Sequence, residues 1–211
     1  MSGARKPAPA RRGYHHGRLR EAMVEAAVGL IEEVGPYAVT VREVARRAGV
    51  SPGAPFRHFP TRTALLTAVA EEAMRRFQAR IAAALASVAG ADVQTRMRTV
   101  ALAYLAWAVR NPTHFKVISN RDLIDYASSS TLMGINAQTQ ALMAGLFRAE
   151  AAAGELRSEA IETQVLASRG LVYGLARMAA DGHLPQLELA GDGLAALDAA
   201  LELFVAGLFR D

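Results

Sequence analysis

The stretch Thr40–Arg62, TVREVARRAGVSPGAPFRHFPTR, decides the fold. Its first part reads as a helix over Val41 to Ala48, with Val41, Val44 and Ala45 on one side and Arg42, Arg46 and Arg47 turned outward. Thr40 stands at the N-cap position and Glu43 follows three residues on, the spacing of a capping box. Gly49 falls where a left-handed residue is wanted after a helix, because it has no Cβ to clash. Val50 plugs the corner, Ser51 can cap a second helix, and Pro52 suits a first helical position that needs no N–H. The second helix is expected to close with Phe56-Arg57-His58-Phe59, stopped by Pro60. A helix, a glycine turn and a short basic, aromatic helix make a helix-turn-helix, whose second helix enters a DNA major groove.

Composition agrees. The 211 residues are 52% hydrophobic, enough for a sizeable core in one or two domains. Ala and Leu abound and β-branched alternation is missing, which points to an all-α protein. The absence of cysteine excludes disulfides and thiolate metal sites and fits a reducing, cytoplasmic setting. No apolar run approaches the ~20 residues of a membrane helix. The basic N-terminus leads into no hydrophobic segment, so no signal peptide is expected. Charge is polarised: residues 1–62 hold eleven Lys/Arg against five Glu, net +6, while residues 63–211 hold thirteen against fifteen acids, net −2. The positive end coincides with the helix-turn-helix, as a surface that neutralises phosphates requires.

In chain order, residues 1–12 read as a disordered basic arm, either simply solvated or attracted to phosphate. The helix-turn-helix part is expected to occupy residues 13–60, and a helical body residues 61–211. A first helix over about Arg18 to Val34 carries the stripe Leu19, Met23, Ala26, Ala27, Leu30, Ile31 and Val34, and Gly35-Pro36 ends it. His15-His16 is no metal site, since neighbouring side chains point apart and no third ligand is near. A long helix over about Thr61 to Val88 follows, with Leu66, Val69, Ala73, Phe77, Ile81, Leu85 and Val88 at helical spacing. Asp92 caps the next, Val93 to Arg110, which Asn111-Pro112 closes. Further helices are expected over about 113–119, 132–153, 158–181 and 193–209, about nine in all. The last carries Leu194, Leu197, Leu201, Phe204 and Leu208 at 3,4 spacing, a seam for another helix, inside the chain or across a dimer.

The residues Thr40-Val41, Val44-Ala45, Ala48-Gly49-Val50-Ser51, Arg57-His58-Phe59-Pro60 and Ala64-Leu65-Leu66 strongly resemble the DNA-binding motif of TetR-family transcriptional regulators, and the likeness extends upstream through Gly13-Tyr14-His15-His16-Gly17-Arg18-Leu19. The body resembles the branch with a Trp…His-Gly signature before Asp-Gly-x-Leu-Pro. Here Arg169 and Tyr173 stand where that branch has tryptophan and histidine, and Asp181-Gly182-His183-Leu184-Pro185 follows.

The resemblance implies a repressor acting as a homodimer through its last two helices. It would bind a palindromic double-stranded DNA operator and be released by a small-molecule effector, without a cofactor and away from membranes. The implied DNA-binding set is Thr40, Arg42, Arg47, Ser51, Pro52, Gly53, Ala54, Pro55, Arg57, His58 and Arg62. Phe56 replaces a tyrosine usual in relatives and loses its phosphate-binding hydroxyl, while Arg62 takes the place of a phosphate-binding lysine. Thr40 serves capping, phosphate contact or both. Relatives hold their effector among the middle helices. The implied lining here is Tyr104, Trp107, Phe115, Met133, Phe147 and Tyr173, with Met97, Leu132, Leu142 and Met143 beside them. His114, Arg121, Asn136, Gln140 and Arg169 are the implied polar contacts, along with Asp122. His114, Asp122, Asp125 and Ser128 to Ser130 supply residue types for catalysis. No nucleophile elbow, phosphate loop or His-Glu-x-x-His accompanies them, so no enzyme is expected. A DNA-binding protein without an effector pocket is the other reading.

Overall fold

The structure is a computed structural model that describes residues 16–51, 53, 55–184 and 193–209. The basic arm, Pro52, Ala54 and Pro185 lie outside the described residues. Eight α-helices occur among the described residues: α1 (His16–Val34), α2 (Val41–Arg47), α3 (Arg62–Ala86), α4 (Val93–Arg110), α5 (Pro112–Ile118), α6 (Ser130–Ala153), α7 (Ile161–Ala180) and α8 (Gly193–Leu208). The only β-pairing among them is an isolated antiparallel bridge between Leu156 and Phe209. The chain divides into two compact units, one up to Leu65 and one from Leu66.

In the first unit, α1 buries Leu19, Met23, Val24, Ala27, Leu30 and Ile31, and α2 buries Val41, Val44 and Ala45 against it. Val34, expected on the stripe, is 50% exposed. It occupies the last turn, where Gly35 swings the chain away at φ 77°. The end of α2 is a Schellman arrangement. Gly49 lies at φ 65°, its N–H donates to the Arg46 carbonyl at 3.2 Å, and the Val50 N–H donates to the Ala45 carbonyl at 3.1 Å.

The second arm of the motif departs from expectation. In place of an α-helix, Pro55–Arg57 form a single 3-10 turn, and the Pro55 carbonyl accepts from the N–H groups of His58 (2.9 Å) and Phe59 (2.8 Å). Pro55 lacks the N–H that would close the first i→i−4 bond of a helix capped at Ser51, and Pro60 stops the segment soon after the turn.

In the second unit, α4 packs on α5, α6, α7 and α8. Its N-cap is Asp92, whose carboxylate accepts from the Thr95 N–H at 2.6 Å. One core joins Phe77 and Ile81 of α3 to Val100, Leu105 and Trp107 of α4, with Phe115, Ala176 and Leu197. A second gathers Met97, Leu146, Phe147, Leu156, Leu201, Val205 and Phe209. Leu197 and Leu201 are thus 2% exposed within a single chain, so these two members of the 3,4 seam of α8 are internal core, while Leu194 is 41% exposed. Arg98 of α4 clamps α8, its Nη2 donating to Asp198 (2.7 Å) and Glu202 (2.8 Å). The turn between α5 and α6 is fastened to α3. The Asp125 N–H donates to Thr67 Oγ1 and Ser129 Oγ to Glu71, both at 2.9 Å.

Beyond its own chain neighbours, no heavy atom lies within 4 Å of where a Cβ on Gly49 would sit, so the demand there is one of backbone conformation. Gly49→Ala is expected to lower the unfolding free energy of the chain by about 1–2 kcal/mol, read in a urea titration.

Candidate functional site

Burial of the apolar side of α2 turns its arginines to solvent. Thr40 Oγ1 accepts from the Glu43 N–H at 3.2 Å, the first half of the capping box. The Glu43 carboxylate does not close the box but accepts from Arg46 Nε at 3.1 Å, and that bond holds its carboxyl below the usual range. Arg47 Nη1 donates to Glu33 of α1 at 2.7 Å and depresses the Glu33 carboxyl in the same way. Arg62 Nη1 donates to the Tyr37 carbonyl at 2.6 Å, and its guanidinium carbon lies 5.9 Å from the Tyr37 ring centroid.

The basic candidates therefore divide. Arg47 and Arg62 brace the unit, whereas Arg42 and Arg57 are exposed and their side chains have no hydrogen bond or ion pair among the described residues. Ser51, Gly53 and His58 are also exposed. Pro55, expected on the reading surface, is buried, because the tightened turn packs onto α2 and carries its ring inward. The two internal ties join residues 14 and 25 positions apart in sequence, and no local pattern announces them.

The second unit holds a cavity of about 490 Å³, within the size range of small-molecule sites. Aromatic rings frame it. Phe77 of α3 stands edge-on to Tyr104 (5.1 Å between centroids, 83°) and to Trp107 (5.3 Å, 67°), and Tyr104 is edge-on to Phe115 at 6.3 Å. Of the residues expected to line it, Tyr104, Trp107, Phe115, Arg121, Asn136, Gln140, Arg169 and Tyr173 do, as do Met97, Leu132 and Met143.

Five others are placed elsewhere. Phe147 is fully buried in the second core, Leu142 packs against the first, Met133 is 42% exposed on α6, Asp122 is exposed, and His114 lies off the wall because its neighbour Phe115 faces it. Phe77, Tyr126, Ser168 and Phe204 line the cavity without having been singled out. Phe77 and Phe204 had been read only as members of helix-packing stripes, the same signal that core residues give.

The wall is sparingly polar. Arg169 Nη2 donates to Asn136 Oδ1 at 2.9 Å, and the Arg121 guanidinium carbon lies 3.2 Å from the Tyr126 ring centroid. Burial pushes the Tyr104 phenol up to about 12, against a smaller downward pull from the Arg169 charge, so the hydroxyl keeps its proton at neutral pH. Ser168 Oγ is buried without a hydrogen-bond partner. Among the described residues no group of three or more His, Cys, Asp or Glu is arranged to hold a metal ion, and no helix is long and apolar enough to cross a membrane.

Two family models match the chain. That of bacterial regulatory proteins, tetR family, covers residues 23–69, and that of the tetracyclin repressor-like C-terminal domain covers residues 97–204. An HTH-type transcriptional repressor of Mycobacterium tuberculosis is 41% identical over 66 residues, 30% of this chain and 35% of the relative. The match thus spans about a third of that curated relative's length. Among solved structures, a protein of unknown function from Rhodococcus sp. RHA1 superposes with a TM-score of 0.78 at 26% identity, over 95% of this chain and 100% of the other. A bacterial regulatory protein of the tetR family from Rhodococcus RHA1 superposes at 0.72 and 22% identity, over 91% and 98%, a likeness of fold.

Phe147 separates core from wall. Phe147→Ala is expected to cost about 3–5 kcal/mol of unfolding free energy, measured by chemical denaturation, as for a large aromatic removed from a packed interior.

Proposed function

Because the chain belongs to the TetR family of bacterial regulatory proteins, we propose that it is a transcriptional repressor that binds a palindromic operator as a homodimer and is released by a small apolar effector. One observation carries this reading: the cavity and a helix that reaches the DNA-binding unit share a fastening. Arg121, Ile124 and Tyr126 of the turn after α5 line the cavity, and the same turn is hydrogen-bonded to Thr67 and Glu71 of α3. The helix α3 opens at Arg62, within the first unit. An effector that displaces the turn therefore pulls on the helix that continues into the helix-turn-helix. A coupling of about 1–3 kcal/mol is enough to change operator affinity roughly 5–150-fold.

On the DNA side, Arg42, Arg57 and His58 are the proposed contacts, and the brief 3-10 turn presents few bidentate donors. Readout then rests on Arg57, His58 and close approach at Ser51 and Gly53, with phosphates supplying most of the affinity. Thr40, Arg47 and Arg62 would add phosphate contacts through donors left over from their internal bonds. The proposed dimer uses the outward faces of the last two helices, where Leu166 of α7 is 70% exposed and Leu203 of α8 is 80% exposed. Large apolar side chains left in water on adjacent helices suit a self-complementary two-fold interface.

The deciding experiment is footprinting of the DNA beside the coding gene, repeated with a compound that raises the melting temperature of the chain. Protection of an inverted repeat that the compound abolishes is expected. Protection that no stabilising compound alters would favour a DNA-binding protein without effector control. Arg57→Ala should weaken the footprinted site by about 1–3 kcal/mol, with a smaller loss on random duplex.

Leu203→Glu should shift the protein from dimer to monomer in sedimentation velocity and abolish the footprint. An intact dimer would put the interface elsewhere.

A further inference from the structure

We propose, resting on the effector reading above, that the cavity is built for an apolar organic acid, its aryl or alkyl body against the aromatic cluster and its single carboxylate at the Arg169 wall. The charge census of the wall carries this. Among the described residues, Arg121 and Arg169 are its only ionisable groups of either full charge, and no Asp or Glu lines it. The wall therefore has a net charge of +2 with no acid to offset it. An organic cation entering would face two guanidiniums, whereas an anion would supply the missing counter-charge.

The hydrogen-bonding groups point the same way. Arg169 has a neutral partner, the Asn136 side-chain oxygen, which leaves most of its five donors uncommitted. Its neighbour in α7, Ser168, presents a buried hydroxyl with no partner, an arrangement that is costly unless something accepts from it. The Tyr104 hydroxyl keeps its proton and is a third donor on the same wall. A carboxylate only accepts hydrogen bonds and matches that set. An ammonium only donates, and an amide offers one acceptor and two surplus donors. The remaining surface, Phe77, Trp107 and Phe115 among it, is apolar and sized for a body of one to a few rings or a medium alkyl chain. Hydrogen bonds between ionised partners are roughly twice as strong as neutral ones, so the acid group sets the selectivity and the body sets the baseline affinity.

The test is isothermal titration calorimetry on the full chain with three matched sets: the carboxylic acid, primary amide and aminomethyl (ammonium) derivative of biphenyl, naphthalene and undecane bodies. The acid is expected to bind at least about ten-fold more tightly than its amide in the body that fits, and the amine to be the weakest of the three. Arg169→Gln should bring the acid down to the affinity of the amide while leaving the amide within about two-fold, and Arg169→Lys should restore part of the preference. Arg121→Gln gives a second reading should the Arg169 variants fail to fold. Equal binding of acid and amide, or preference for the amine, overturns the organic-acid proposal and leaves the effector cavity standing. Absence of binding by all nine compounds overturns both together.

Discussion

Everything in the larger unit depends on the burial of α4 on nearly every side. Met97, Val100, Ala101, Ala103, Leu105, Trp107 and Ala108 are all buried, and four other helices pack on this one. Its alanines let neighbours approach closely, while Tyr104 and Trp107 hold others off. Protein interiors are otherwise filled to the density of organic crystals. A helix that alternates small and very large side chains against edge-to-face rings cannot reach that density everywhere. The cavity is the space left over, and its aromatic character follows from the rings that prop it open.

The same contrast of scale separates what the sequence discloses from what it conceals. Helix boundaries are local matters. Asp92 caps α4, Asn111-Pro112 ends it, Gly154 closes α6 in a left-handed conformation, and each of these signals lies within a few residues of the event it controls. The turn at Gly49 is legible for the same reason. Seven-residue spacing on α8 reveals a buried face but not what buries it, and Leu197 and Leu201 pack inside their own chain. Phe77 and Phe147 both stand among apolar residues of a helix, yet Phe77 borders the cavity and Phe147 is fully buried away from its wall. Only the tertiary arrangement distinguishes them.

The reading end shows how local chemistry can overrule a motif. Helix, glycine and corner residue appear as expected, but Pro55 removes an early helical donor, and among the described residues the second arm is a single 3-10 turn. Its arginines then divide the labour. Arg47 and Arg62 are committed to Glu33 and Tyr37 within the unit, so they make the scaffold rigid, while Arg42 and Arg57 keep their charge outward. A cationic surface built this way holds its shape without neutralising the charge that gives it affinity for phosphate.

The bridge between Leu156 and Phe209 has a mechanical corollary. The Arg157 N–H donates to the Leu208 carbonyl at 3.0 Å, and its guanidinium reaches the carbonyl of Phe209. Residues 157 to 208 are thereby pinched shut at their base, like a purse drawn by its string. The C-terminal end of α8 is thus moored to the segment that leads into α7, so strain at one is passed to the other through a pair of carbonyls.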